Sequence, residues 1–160
     1  MSLCFMCLIA CESGLDSAST SDFAIYRLKD SKLAASQVWA QPIEELVLAD
    51  VPLVALRDLK SYAWQTHEFS VTAEVDSQLV MLKRTIGPVG GIPFVVTVGN
   101  ERIYLGAFWY AHSSLAPQVP YIEVTFNEHR ICRGWIDQGD DKRNDRRIYD
   151  ALKRAGVLTE

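Results

Sequence analysis

A chain of 160 residues and 18.0 kDa fits one domain of ordinary size with a short leader subtracted. Its make-up, 49% hydrophobic, 10% aromatic and 22% charged, is that of a globular protein able to bury roughly 70% of its unfolded surface without help from a disulfide or a metal. A net charge of −4 excludes the broad basic surface needed to grip nucleic-acid phosphates.

The chain opens on its cysteines. Cys4, Cys7 and Cys11 lie at the start and Cys132 alone in the body, so no internal disulfide framework can form there. Cys4 and Cys7 have C-x-x-C spacing but sit inside the apolar run 3–10 with no second pair, which argues against zinc or redox chemistry. That run is far too short for a membrane-spanning helix, which takes about 20 residues. It fits the apolar core of a secretory signal.

Leu8-Ile9-Ala10-Cys11 resembles the lipobox of bacterial lipoproteins. The resemblance implies cleavage before Cys11, diacylation of that cysteine and acylation of the new terminus. It therefore implies anchoring on the outer side of a bacterial membrane, periplasmic or at the cell surface. Durable anchoring takes more than one acyl chain, which suits that modification. Residues 12–22 are small, polar and acidic and cannot bury enough surface to fold, so they are expected to act as a tether. One feature departs from the pattern: the first basic side chain is Arg27, so the positive charge of a leader has to come from the terminal amine or from a start upstream of Met1. The plainer alternative is an apolar N-terminal segment packed on the domain. The expected division is a leader over 1–10, the lipidated Cys11 and tether over 11–22, and a globular domain over 23–160.

Alternation predicts a first strand over 23–28 and a second over 43–48, bounded by Pro42 and Pro52, with a short helical turn within 33–40. Leu53, Leu56, Leu59 and Tyr62 have helical spacing and predict a short helix over 53–62. A strand over 68–72 with Phe69 and Val71 inward leads into a helix capped by Thr72 that buries Val75, Leu79 and Leu82. The strongest local signal is a hairpin of 93–98 and 101–109 about Gly99-Asn100, a loop suited to a type II′ turn. An unbroken register places Phe94, Val96 and Val98 with Ile103, Leu105, Ala107 and Trp109, and leaves Tyr104, Phe108 and Tyr110 on the opposite face. A second hairpin is expected from 121–126 to 130–136 with His129 in its turn. A final helix follows, capped by Asn144 or Asp145, with Ile148, Leu152 and Ala155 apolar and Gly156 at its end. The expected fold is a single α+β domain, a twisted antiparallel sheet with about three helices.

Chemistry-bearing patterns are sparse. His67, His112 and His129 fit no ligand spacing, and Ser113-Ser114 beside His112 lacks the strained G-x-S-x-G turn of a serine nucleophile. Cys132 reads as a buried, inert thiol, its neighbour Arg133 projecting to the other face of a strand. The acidic run 137–145 lacks the oxygen spacing of a calcium loop and reads as a solvated loop with a helix cap. No cofactor or metal is called for. The aromatic density at Tyr62, Trp64, Tyr104, Phe108, Trp109 and Tyr110 fits either a core or a recognition surface.

The body resembles uncharacterised bacterial envelope lipoproteins at SYAWQTH (61–67), GIPF (91–94), IYLGAFW (103–109) and NDRRIY (144–149). That resemblance implies a lipid-anchored location and brings no activity. The leading expectation is a non-catalytic binding module for an envelope protein or small ligand, its surface formed by Tyr62, Trp64, His67, Tyr104, Phe108 and Tyr110. The alternative is a small hydrolase or metal-dependent enzyme using His67 or His112.

Overall fold

A computed structural model describes residues 22–84, 89–111, 113–124, 129–135 and 139–159. The described residues fold as one α+β domain with two sheets and three α-helices. No helix among the described residues is long and apolar enough to cross a membrane.

The central hairpin forms where expected. β5 (Ile92–Val98) and β6 (Glu101–Trp109) pair antiparallel about Gly99, whose φ of +59° supplies the left-handed first position of the turn. The predicted register is broken, however. A bulge moves Val96 opposite Tyr104 while Thr97 stays opposite Arg102, so Ile103 is the extra residue. Phe94 and Val96 consequently share a face with Tyr104, Gly106 and Phe108 rather than with Leu105 and Ala107. The alternation could not fix this, because every residue of β5 is buried and both faces accept apolar side chains. The bulge also frees Arg102, whose guanidinium donates to the carbonyls of Ile43 and Leu46 at 2.6 and 2.7 Å.

β1 (Phe23–Arg27) lies antiparallel to β5 and carries the two-residue β2 (Val54–Ala55) on its outer edge. On the other side, β7 (Tyr121–Glu123) runs parallel to β6, and β8 (Ile131–Cys132) runs antiparallel to β7. The sheet is thus mixed, not antiparallel throughout. The order is β2-β1-β5-β6-β7-β8. The link between β7 and β8 lies partly outside the described residues.

β3 (Leu59–Ala63), β4 (Glu68–Val71) and β9 (Leu158–Thr159) make a second sheet in the order β4-β3-β9, with β9 parallel to β3. Phe69 donates its N–H to the His129 carbonyl and Ile131 donates to His67, tying β4 to the β8 edge. The sheets together curl round one core of Phe23, Ile25, Tyr62, Phe94 and Phe108, closed by helices. α2 (Ala73–Arg84) contributes Val75 and Leu79 to it, with Leu82 partly buried, as its spacing predicts. α3 (Arg146–Arg154) contributes Ile148, Ala151 and Leu152. Asp145 caps α3 through the Arg147 N–H at 2.9 Å, and the helix ends on paired bonds from Gly156 and Val157 to Lys153 and Leu152. Ala155, expected on the apolar side, is exposed.

Two predicted elements are replaced. Residues 43–48 form a 3-10 turn over Ile43–Glu45 instead of a strand, and only Leu48 makes a lone bridge, to Leu28. Residues 53–62 form β2, a 3-10 turn over Leu56–Asp58 and then β3, instead of a helix. The Asp58 carboxylate accepts the Ala55 N–H at 2.9 Å and closes that turn. The four apolar residues at helical spacing do reach the same core, but as two strands and a turn, because β1, β4 and β9 offer backbone partners.

α1 (Ala35–Val38) is a single turn, as residues 33–40 suggested. It is fastened by backbone bonds from Ala35 and Ser36 to the carbonyls of Gly91 and Gly90, at 2.9 and 3.1 Å. Gly91, at φ +79°, lies under Trp109, where an added Cβ would fall 2.6 Å from the indole. Gly91→Ala is therefore expected to lower stability by about 2 kcal/mol, through overpacking and a disfavoured backbone, in a urea titration. An unchanged midpoint would show that Trp109 yields freely.

Candidate binding groove

The aromatic residues singled out from sequence divide into two groups. Tyr62, Trp64 and His67 come together on β3 and the turn after it: Trp64 meets His67 edge-on at 5.6 Å, and the Tyr62 hydroxyl lies 3.1 Å from His67 Nδ1. Tyr104, Phe108 and Tyr110 belong to the core, Tyr104 with only 4% exposure, and Tyr110 donates its hydroxyl to the Leu82 carbonyl at 3.2 Å. An exposed patch at Tyr104, Phe108 and Tyr110 is therefore not what the fold presents, since the bulge turns Tyr104 inward and the curled sheet encloses the rest. Trp109 is buried as expected, against Ala35 and Ala107.

His67 is packed within the fold. It occupies the left-handed region at φ +55° and is 4% exposed. Burial, with the Arg143 guanidinium adding to it, brings its pKa down to about 4. Burial likewise pushes the Tyr62 and Tyr104 hydroxyls well above the ordinary phenol range. Because the fold favours neutral His67, its stabilising share is whole above the unfolded pKa near 6.5 and is lost as pH falls towards 4. That loss is on the order of 2–3 kcal/mol. Chemical denaturation at pH 7, 5.5 and 4 should show it shrink in His67→Asn, which tolerates the same backbone. Equal pH slopes for the two proteins would remove His67 as the cause.

Asp141 and Arg143, placed by sequence in a solvated loop, turn inward instead. Arg143 donates to Asp141 from Nε and Nη2 at 2.9 and 2.6 Å and from Nη1 to the Ile131 carbonyl at 2.7 Å. Cys132 is half-buried, and burial raises its thiol pKa. His112 and Cys11 lie outside the described residues. His129, expected in an open turn, is buried, its ring stacked on Phe69 and its Nε2 at 2.8 Å from Asp76 Oδ1. Beside it an open cleft of about 410 Å³ carries the Ser61 and Ser70 hydroxyls, 2.6 Å apart. Among the described residues no group of three or more His, Cys, Asp or Glu is placed to hold a metal ion.

A two-chambered concavity lies elsewhere in the fold, and of the predicted binding residues only Tyr104 is among those lining it. α1 holds Trp39 at its end, 49% exposed although indole is costly to leave in water. Facing it is the segment 113–120 of the crossover that β6 needs to reach its parallel neighbour β7. Between them an inner chamber of about 100 Å³ is walled by Ala35, Trp39, Trp109, Leu115 and Val119. An outer chamber of about 410 Å³ shares Trp39, Gln118 and Val119 and extends over Ile43, Ile103 and Pro120. Ser36 and Gln118 are the polar residues lining the inner chamber, whereas Gln41, Gln118, Tyr104 and the one charged residue, Lys142, line the outer one. Among the described residues, the buried Tyr104 hydroxyl and Gln118 Oε1 find no hydrogen-bond partner. Leu115 and Trp135 are also exposed, and Trp135 is fixed to the crossover by its backbone N–H, which donates to the Pro117 carbonyl at 2.9 Å. The sequence signal was faint: a lone tryptophan among polar residues, with nothing local to connect it to Leu115 or Lys142.

Comparison of the chain with protein-family models, with curated proteins and with solved structures found no match in any of the three.

Proposed function

We propose that the chain is a non-catalytic binding module of the bacterial cell envelope, held on the outer side of a membrane by a lipid on Cys11 and receiving its partner in the Trp39 groove. The observation that carries the binding role is the two-chambered apolar groove with a large exposed indole at its junction. Concave, mainly apolar sites with a few polar groups at one end are the usual form of a ligand site. The lipobox-like residues 8–11 support the anchor. Intact-mass analysis of protein recovered from membranes is expected to find a new terminus at Cys11 carrying acyl chains. Cys11→Ser should move the chain from the detergent phase to the aqueous phase. A variant that partitions like the natural chain would remove the anchor.

A second reading, a small enzyme, draws on the convergence of His129, Asp76, Ser61 and Ser70 at the outer cleft. It shifts the chemistry from His67, which is engaged with Tyr62, to His129. An esterase screen in which a measured rate survives His129→Ala would dismiss it.

A further inference from the structure

We infer that the Trp39 groove takes a single-chain amphiphile with an anionic head, a long-chain fatty acid, its tail in the inner chamber and its carboxylate at Lys142. The inference rests on the groove being the binding surface and names the ligand class that fits it.

Charge along the groove is one-sided. The inner chamber offers a tail indole, methyl and isobutyl surface from Trp39, Trp109, Ala35, Leu115 and Val119. Ser36 and Gln118 are the polar residues of the inner chamber, and the charged side chain lining the groove, Lys142, stands at the outer end, where it is exposed and, among the described residues, forms no ion pair. Two neighbouring ion pairs are already formed. Arg143 is held by Asp141, and Asp145, which feels the Lys142 charge, is taken by Arg147 at 2.7 Å. A carboxylate at this end would meet one uncompensated ammonium, with the Gln118 side chain lining the same chamber.

The walls also disfavour a peptide. A bound peptide needs partners for its own N–H and C=O groups along its length. The floor strand β6 has both edges occupied, by β5 and by β7, and so offers no free backbone. A hydrocarbon tail has no such need. The inner chamber, at about 100 Å³, suits one chain end rather than a pair or a fused ring system. A single lysine, with no arginine fork beside it, suits a carboxylate better than a phosphate.

The test is calorimetric titration of the full chain carrying Cys11→Ser, so that no acyl group of its own competes. The titrants are laurate below its micellar concentration, dodecanol, and dodecyltrimethylammonium. Saturable 1:1 binding of laurate is expected, with Lys142→Ala weakening laurate about tenfold and leaving dodecanol unchanged. Trp39→Ala should weaken both. The ammonium amphiphile should bind at least tenfold more weakly than laurate, and Lys142→Ala should narrow that gap. If dodecanol equals laurate and Lys142→Ala changes neither, the head-group assignment is wrong while the groove stands as a binding surface. If no titrant saturates, the amphiphile is wrong altogether. In that case, loss of a purified envelope partner on Trp39→Ala would keep the broader reading alive.

Discussion

Phe94→Ala is expected to cost about 3–5 kcal/mol, the range for deleting a fully buried phenyl ring. Phe94 is wholly enclosed, tilted against Phe108 at 5.0 Å and paired across the hairpin with Gly106. A Cβ added at Gly106 would lie 2.3 Å from Phe94 Cζ, so the ring occupies the space that a side chain would otherwise fill. Gly106→Ala alone should therefore be destabilising by about 1–3 kcal/mol through overpacking. The double variant should lose less than the sum, because the new methyl enters the cavity left by the ring, with a coupling of about 1–2 kcal/mol. Denaturation of the four proteins measures it. Strict additivity would mean that the two residues do not share a space. Stabilities of domains this size run to about 5–15 kcal/mol, so Phe94→Ala removes a large share of the total.

Asp141→Ala should be the most costly change among the ion pairs, about 3 kcal/mol or more. The two side chains retain only 15% and 16% of their exposure, and removing the carboxylate strands the Arg143 guanidinium beside Tyr62, Tyr104 and His67. Hydrogen bonds from Arg143 hold the Asp141 carboxyl below the ordinary range, so this share of stability is present at neutral pH and fades as acid protonates it. By contrast, Lys29→Ala breaks a pair whose members are 59% and 83% exposed and should change stability by under about 1 kcal/mol. Similar losses from the two variants would show that the Asp141–Arg143 pair is solvated. Arg143 also donates to the Ile131 carbonyl, so the Asp141 variant should loosen the β8 edge, seen as faster amide exchange at Ile131.

The groove and the polar cluster beneath it share one short piece of chain. The 3-10 turn over Lys142–Asn144 sends Lys142 outward to the groove mouth and Arg143 inward to Asp141. Changes at Asp141 are consequently expected to disturb laurate binding through stability, whereas Lys142→Ala should alter binding with the melting temperature unchanged. This contrast separates a ligand contact from a scaffold residue.

What the sequence determined by itself is what short-range chemistry specifies. The Gly99-Asn100 turn, the inward alternation of Phe69 and Val71, the Val75–Leu79 stripe of α2 and the Asp145 cap of α3 all formed where the residues indicated. Each depends on neighbours within a few positions. The tertiary structure decided the rest. Residues 53–62 carry a helical spacing yet form strands, because β1, β4 and β9 supply hydrogen-bond partners that local periodicity cannot announce. The bulge at Ile103 chose between two registers that bury apolar faces equally well, and thereby sent Tyr104 into the core. The groove itself joins Trp39, Leu115 and Lys142, residues that meet only because a parallel β6–β7 pairing requires a crossover and α1 is fastened to Gly90 and Gly91. Non-local backbone pairing sets that meeting, and no pattern confined to one segment encodes it.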